Sequence, residues 1–330
     1  MNAQHNRVSV VICAYTQLRW DDIVAAVSSA LAQPECAEVI LVIDHEETLL
    51  KRAQLHWPDV AVIANNQQQG LSGARNTGVQ AATGEIVAFL DDDASAAADW
   101  LGLLVHPFSD HRVAGVGGRA DPVWPVSSAA RILPPELFWI VGCSYLGLPT
   151  DNADVRNVIG CSMAFRRETL LLLGGFNVET GRVGRVPLGC EETELCIKVR
   201  QADPQARIVY VPGSVVNHRV SADRTGWSYV ARRSYYEGIS KAVLSRNLGR
   251  GAALASESSY ALKVLPRGIV RELGDIRHGG AARALAIVLS LAGASAGYVR
   301  GSLSARSGNA AAESHRAARP EASVSLADRT

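Results

Sequence analysis

Four apolar, β-branched runs of strand length, Val8–Cys13, Val39–Ile43, Val60–Ala64 and Ile86–Leu90, alternate with helix-patterned stretches near Trp20–Gln33, Glu46–His56 and Leu71–Ala82. This alternation leaves little choice of architecture. Runs with almost no polar residue must be covered on both faces, and helices between successive strands make those strands parallel. The expectation is an α/β chain with a mostly parallel central sheet flanked by helices. In such sheets ligands gather at the carboxyl ends of the strands. The polar groups there are Tyr15 and Thr16, Asp44 and His45, Asn65 and Asn66, and Asp91 to Asp93. They should converge on one crevice.

The last group is the most informative. Residues 86–93 read Ile-Val-Ala-Phe-Leu-Asp-Asp-Asp, a buried-strand pattern that stops in three carboxylates. Like charges side by side at a buried strand end repel one another and resist desolvation. A hard divalent cation, Mg²⁺ or Mn²⁺ bridging a diphosphate, relieves both costs; the bland alternative is a solvated acidic turn. Alternation along an extended segment places Asp91 and Asp93 on one face and Asp92 on the other.

A second segment, about 112–219, carries further strands (Val113–Val116, Val158–Phe165, Arg207–Val211) and a helix from near Glu191. Five prolines between 120 and 150 predict an irregular stretch suited to an acceptor-side wall. From about Gly226 the pattern is helical to roughly residue 300, followed by an Ala-, Ser- and Arg-rich tail with the composition of a disordered segment. The expected division is 1–222, 223–301 and 302–330. Residues 220–330 carry 16 Lys/Arg against 8 Asp/Glu, which leaves 17 against 24 in residues 1–219 from chain totals of 33 and 32. An acidic first part suits a metal-centred site, and a basic last part suits anionic lipid or phosphate. Six cysteines without paired spacing read as reduced core residues of a cytoplasmic protein. No signal-peptide pattern opens the chain.

On four ordered pieces the chain resembles the family 2 glycosyltransferases, with their GT-A nucleotide-sugar fold, from about Val8 to His218. These are Val-Ser-Val-Val-Ile-Cys-Ala-Tyr (8–15), Val39–Asp44, the run from Gly70-Leu-Ser-Gly-Ala-Arg-Asn-Thr-Gly78 to Gly84–Asp93, and Gly-Cys-Glu-Glu-Thr-Glu-Leu (189–195). The first ends in Cys13-Ala14-Tyr15-Thr16 where the family usually has Pro-Thr-Tyr-Asn, and the last has Glu-Glu where Glu-Asp is common. The resemblance implies nucleotide contacts at Ala14, Tyr15, Asp44 and Arg75, a ribose contact at Asp92, metal ligation by Asp93 with Asp91 and His218, and a catalytic base at Glu192. The residues support similar roles. Asp44 can accept the N3–H of uracil, its alternative being a helix cap for Glu46 onward. Arg75 lies in a Gly/Ser-bounded loop entering a helix, suited to an anionic nucleotide, while Asn76 and Gly78 read as shaping that helix.

For Glu192 there is an independent argument. On a helix starting near 190 it shares a face with Leu195, Cys196 and Val199, whereas Glu191 and Glu194 flank Lys198 on what reads as the wet face. An inward carboxylate needs a function. The implied reaction is metal-dependent, inverting transfer from a UDP-sugar to a hydroxyl acceptor.

The C-terminal part bears on that acceptor. Thr225–Asn247 mixes Trp227, Tyr229, Tyr235 and Tyr236 with Arg232, Arg233, Lys241 and Arg246, a composition suited to a membrane interface. Ala284–Val299 is 16 residues without a charge, short of the ~20 that span a bilayer, so a buried or interfacial helix is expected. Val183–Leu195 and the helical tail are similar to transferases that extend polyprenyl-phosphate-linked sugars, which implies a lipid-linked acceptor and peripheral contact with the inner face of the cell membrane. Nothing points to nucleic acid. A nucleotidylyltransferase is one alternative, though it would be expected to show a Gly-rich basic loop after the first strand and Cys13–Leu18 has none; the missing Gly-x-Gly-x-x-Gly argues against a nicotinamide dehydrogenase. A non-catalytic sugar- or lipid-binding module is the remaining alternative.

Overall fold

A computed structural model describes residues 7–126, 131–178, 189–254 and 257–317. Its centre is the strand β1 (Val8–Ala14), six of whose seven residues are buried. It pairs in parallel with β2 (Cys36–Ile43) on one side and β4 (Ile86–Asp91) on the other. The edge strand β3 (Ala61–Ala64) is parallel to β2. The connecting helices are α1 (Trp20–Leu31), α2 (Glu47–His56) and α3 (Leu71–Ala81). All seven elements lie within two residues of their expected bounds, except that β2 begins three residues early, at Cys36.

Beyond β4 the sheet continues through β5 (Ala94–Ala96), the helix α4 (Trp100–Val105), β6 (Val113–Val123), β7 (Ala153–Asp154), β8 (Ser162–Arg166), α5 (Arg167–Leu172), α6 (Glu191–Ala202) and β9 (Arg207–Arg219). The strand order is β3-β2-β1-β4-β8-β6-β9-β5, with β7 paired to β9. β8 runs antiparallel to both β4 and β6, while β6 and β9 are parallel. The result is a mostly parallel, nine-stranded mixed sheet.

Both faces of β1 are buried, as its composition demands. Val10, Ile12 and Ala14 pack with Ile23, Trp100 and Leu104, while Val11 packs on the other side with Phe89, Ala74 and Leu195. Removing a fully buried branched side chain such as Ile12 costs about 2–5 kcal/mol when truncated to Ala.

Register then sets the crevice. Cys13 lies beside Asp91 and Ala14 beside Ile43, so Asp44 follows immediately, its N–H donating to Ala14 O at 2.8 Å. On the far side β5 pairs antiparallel with β9, placing Ala94 opposite His218 and so bringing His218 next to Asp93.

The C-terminal part comprises α7 (Trp227–Leu248), the short turns α8 (Arg250–Leu254) and α9 (Glu257–Ser259), a π-helical turn at Tyr260–Val264, α10 (Leu265–Gly274) and α11 (Gly280–Ala317). α11 lies along α7 at glycine-allowed distance: a Cβ on Gly238 would stand 2.0 Å from Ala294 O, and one on Gly297 would stand 1.9 Å from Tyr235 O. Leu133, Leu137 and Ile140 form a third core with Val230, Leu265 and Ile287, which fixes these helices to the proline-rich segment. That segment is less irregular than expected, since Pro122 lies within β6 and Pro135–Val141 forms a 3-10 turn. The expected boundary at 302 falls within α11, and residues 318–330 lie outside the described residues.

Gly280–Leu303 is, by length and composition, long and apolar enough to cross a membrane. The charge-free core of 16 residues understated this helix, because α11 continues through Arg283 and Arg300.

Candidate active site

A cavity of about 690 Å³ opens at the carboxyl ends of β1, β2 and β4 and is closed on its other side by α6, α7 and α11. Ala14, Tyr15, Asp44, Arg75, Asp91, Asp92, Asp93, Glu192 and His218 all line it. The strand-end carboxylates and the inward glutamate therefore share one space.

At its acidic end, one ligand atom from each of Asp91, Asp93 and His218 lies within 4.8 Å of the others. β4 delivers Asp91; the turn after it swings Asp93 towards β9, where His218 Nε2 is 3.2 Å from Asp93 Oδ1. Cys143 Sγ lies 3.6 Å from His218 Nδ1, on the ring's other edge. Burial works against charge on His218, but the Asp93 carboxylate more than offsets it and raises the imidazolium to about 10. Burial likewise pushes Asp93 up, yet the charges of His218, Arg19 and Arg224 hold it well below the ordinary carboxylate range.

Asp92 points elsewhere. Its Oδ1 accepts from Arg19 Nη1 at 2.7 Å, and the same nitrogen is 3.0 Å from Asp93 Oδ2. Asp92 Oδ2 is buried without a hydrogen-bond partner, and burial with the Asp93 charge lifts this carboxyl to about 7. The Asp91 and Asp93 carboxylates with the His218 imidazole are a donor set that fits a divalent cation of the Mg²⁺ or Mn²⁺ type.

Asp44 is not a helix cap: Glu46 caps α2, its side chain accepting from the Leu49 N–H. Instead Asp44 organises the next loop. Its Oδ1 accepts from Asn65 Nδ2 at 2.7 Å and lies 2.9 Å from His45 Nδ1, and its Oδ2 accepts from Gly70 N at 2.9 Å. A carboxylate has about four lone-pair sites, which leaves one for a ligand. His45 adopts φ 53°, a left-handed conformation uncommon outside glycine but one that histidine enters more readily than most residues.

Arg75 is buried rather than exposed, and its donors serve the protein. Nη1 donates to Glu191 Oε1 at 3.0 Å; Nη2 donates to Gly160 O at 3.0 Å and to Asp91 Oδ1 at 3.3 Å. The guanidinium thus bridges the two acidic motifs. Asn76 shapes its surroundings as expected, exchanging two 2.8 Å hydrogen bonds with the Phe176 backbone, and Gly78 packs against Val11.

The helix-face reading needs correction at two positions. Glu191 and Glu194 are both buried: Arg75 covers the first, and Lys198 and Asn177 pair with the second. The cause is local. Cys190 enters α6 in the left-handed region (φ 79°), which rolls the first turn under the Arg75 guanidinium. Glu192 is half-buried and faces the cavity; burial, reinforced by the Glu191 charge, raises its carboxyl to about 8. A carboxyl with that pKa is poised for proton transfer near neutrality. Part of the Val183–Leu195 similarity falls on residues 183–188, which lie outside the described residues.

Several wall residues escaped the sequence reading. Arg19 and Arg224 reach the aspartates from short 3-10 turns, Gln17–Arg19 and Ala222–Arg224, whose patterns carry no signal of their own. Arg233 and Lys241 read as interfacial, but α7 turns them inward, with Tyr229, into the cavity. The proline-rich stretch supplies Trp139 to Cys143 and Tyr145.

Comparison with known proteins agrees with this geometry. The family described as Glycosyl transferase family 2 matches residues 9–171. A glucosyl-dolichyl phosphate glucuronosyltransferase of Haloferax volcanii is 34% identical over 243 residues, 72% of this chain and 77% of that one. A pre-mycofactocin glycosyltransferase of Mycobacterium tuberculosis is 30% identical over 198 residues, 59% of this chain and 39% of its own length. Among solved structures, a mannosyltransferase of Pyrobaculum calidifontis in complex with GDP-Man and Mn²⁺ superposes with a TM-score of 0.56 at 21% identity, covering 96% of this chain and 82% of that one. GalNAc-T7 with UDP, GalNAc and Mn²⁺ gives 0.51 at 17% identity, covering 79% and 57%. Both likenesses concern the fold.

Proposed function

The chain belongs to glycosyl transferase family 2, and we propose that it transfers a sugar, with inversion, from a UDP-sugar to a hydroxyl of a lipid-linked acceptor. The observation that carries this reading is the shared cavity, with Asp91, Asp93 and His218 grouped at one end and Glu192 facing in from another wall. Residues 1–222 form the donor domain, and 223–301 close the acceptor side.

Glu192 takes the proton of the acceptor hydroxyl as that oxygen attacks the anomeric carbon opposite the diphosphate; such assistance is commonly worth ~10²–10⁴-fold. Asp44 uses its remaining lone pair for the uracil N3–H, between Ala14 and Tyr15. Asp92 Oδ2 receives a ribose hydroxyl. Asp91, Asp93 and His218 would hold Mg²⁺ or Mn²⁺, which when bound would neutralise charge growing on the leaving diphosphate. Arg19 and Arg224 supply further positive charge beside that position. Arg75 keeps the carboxylate of the metal group and the base-bearing helix in register.

The relative from Haloferax volcanii acts, by its name, on a glucosyl-dolichyl phosphate, which supports a lipid-linked acceptor here. Membrane contact is peripheral in this reading. α10 and its flanks expose Leu262, Val270, Leu273 and Ile276 beside Lys263, Arg267 and Arg277, a mix suited to an anionic leaflet on the cytoplasmic side. α11 keeps one face against α7, and in this reading it lies along the protein at the membrane surface.

Incubation with Mn²⁺, a panel of UDP- and GDP-sugars and a short polyprenyl-phosphoryl glucoside tests the proposal. The expected result is a UDP-dependent product of inverted anomeric configuration. Turnover restricted to GDP-sugars would overturn the role given to Asp44, and retained configuration would overturn single displacement.

A further inference from the structure

Beyond Glu192 the cavity wall carries five buried or half-buried charges that the transfer scheme leaves unused. Arg233, Glu237 and Lys241 lie one turn apart on α7; Arg156 and Glu257 face them from the loop after β7 and from α9. Arg233 Nη1 donates to Glu237 Oε2 at 2.8 Å, Lys241 Nζ lies 2.7 Å from Glu257 Oε1, and Arg156 Nη2 donates to Glu257 Oε1 at 2.7 Å. Among the described residues of this cluster each cation has a carboxylate partner, and three cations share two carboxylates, which leaves one positive charge in excess. Burial would neutralise Glu237, yet Arg233 and Lys241 hold it ionised at about 2, so the five are charged together.

Two features say what that excess is for. Arg233 Nη2 stands against Gly189, three residues before Glu192, so the cationic end of the network abuts the helix start that carries the proposed base. Next to it, α11 lines the same cavity with Leu291, Ala294, Tyr298 and Val299. Leu291 and Val299 are 42% and 57% exposed, so this apolar lane reaches the surface. Uncompensated buried charge is costly until an anion meets it. An anion site continuous with an apolar exit matches one ligand chemistry, a phosphate ester bearing a long hydrocarbon chain.

We propose that α7 and α11 form the acceptor subsite of this enzyme, with Arg233 and Lys241 binding the phosphate of a polyprenyl-type phosphate and the chain leaving along Ala294 and Tyr298 past Leu291 and Val299. The proposal rests on the cavity being the site of sugar transfer. It adds residues and a direction of approach that the similarity to other transferases does not supply.

Calorimetry on the full chain tests it with three probes, farnesyl phosphate below its micellar concentration, farnesol and inorganic phosphate. Farnesyl phosphate should bind at least tenfold more tightly than either of the others, since charge-assisted hydrogen bonds and apolar contact then act together. Arg233→Gln should weaken farnesyl phosphate about tenfold and leave farnesol unchanged. Ala294→Trp should weaken farnesyl phosphate and farnesol alike. Equal affinity of the unaltered protein for farnesyl phosphate and farnesol overturns the anion seat, and equal affinity for farnesyl phosphate and inorganic phosphate overturns the lane. UDP binding with Mn²⁺ on the same preparations distinguishes the two readings. If UDP binds and farnesyl phosphate does not, the subsite is wrong; if farnesyl phosphate binds and UDP does not, the donor assignment is. Should Arg233→Gln not fold, Lys241→Met and the unaltered protein's three affinities decide.

Discussion

Arg75 and Glu191, 116 positions apart in the chain, meet at 3.0 Å beneath the cavity floor, and the same guanidinium reaches Asp91 at 3.3 Å. One buried cation thus holds together the two acidic motifs of the candidate site. Its loss would leave the Glu191 carboxylate, whose Oε2 already lacks a partner, facing Asp91 without compensation. Arg75→Met should therefore cost about 3–5 kcal/mol in urea denaturation. Adding Glu191→Gln should restore part of that, because the stranded charge goes with it. A single variant as stable as the parent would show that the bridge is not structural.

His218 gives a second expectation, with a definite sign. Asp93 stabilises its protonated form to about 10, and an imidazolium cannot ligate a metal. Mn²⁺ must displace that proton, so Mn²⁺ affinity should rise with pH from 6 to 9, by up to about tenfold per unit. Titration calorimetry in the absence of nucleotide reads this directly. His218→Gln should bind Mn²⁺ more weakly and with a much flatter pH dependence. An unaltered protein with flat affinity across that range would remove His218 from the ligand set.

Glu192 couples chemistry to stability. Its carboxyl is raised to about 8, so the native state holds a proton that the unfolded chain has already lost. The stability it contributes is whole below the ordinary carboxylate pKa and is lost as pH rises through about 8. Glu192→Gln should match the parent near pH 4 and exceed it by roughly 1–3 kcal/mol at pH 8.5, in denaturant melts at both values. In the same variant turnover should fall ~10²–10⁴-fold with UDP affinity retained. The parent's kcat/KM should climb through pH 8 as the base ionises. Unimpaired turnover would assign the base elsewhere.

What the sequence made legible follows from which signals are local. Val8–Ala14 and Ile86–Asp91 declare themselves because a strand buried on both faces tolerates almost no polar residue. Three successive aspartates need no partner to be noticed, and Glu192 stood out because one face of α6 is otherwise apolar. The face assignment failed for Glu191 and Glu194 because their partners, Arg75 and Asn177, come from distant segments and because Cys190 is left-handed, which no periodicity reveals. Arg233 and Lys241 misled for a related reason: a basic, aromatic helix looks the same whether its cations meet lipid headgroups or the half-buried carboxylates of Glu237 and Glu257. Gly293, Gly297 and Gly301, four apart, form a stripe that the sequence reading passed over and whose meaning appears only when α7 lies against it.

That stripe carries the last expectation. Gly238 faces the Ala294 carbonyl and Gly297 faces the Tyr235 carbonyl so closely that any Cβ must push the helices apart. Rigid backbone is in the way, so no side-chain rotation relieves the clash. Gly238→Ala and Gly297→Ala should each cost about 1–3 kcal/mol, the usual penalty of overpacking. Gly251→Ala, with open space around it on α8, should instead gain about 0.5–1 kcal/mol, because alanine loses less backbone entropy on folding. Urea denaturation of the three variants separates close approach from a general effect of removing glycine. Because Ala294 and Tyr298 line the cavity on the same helix, the two costly variants should also weaken acceptor binding while UDP binding with Mn²⁺ persists. If UDP binding falls with it, α7 and α11 support the donor half as well, and the division of labour between the two halves of the cavity is wrong.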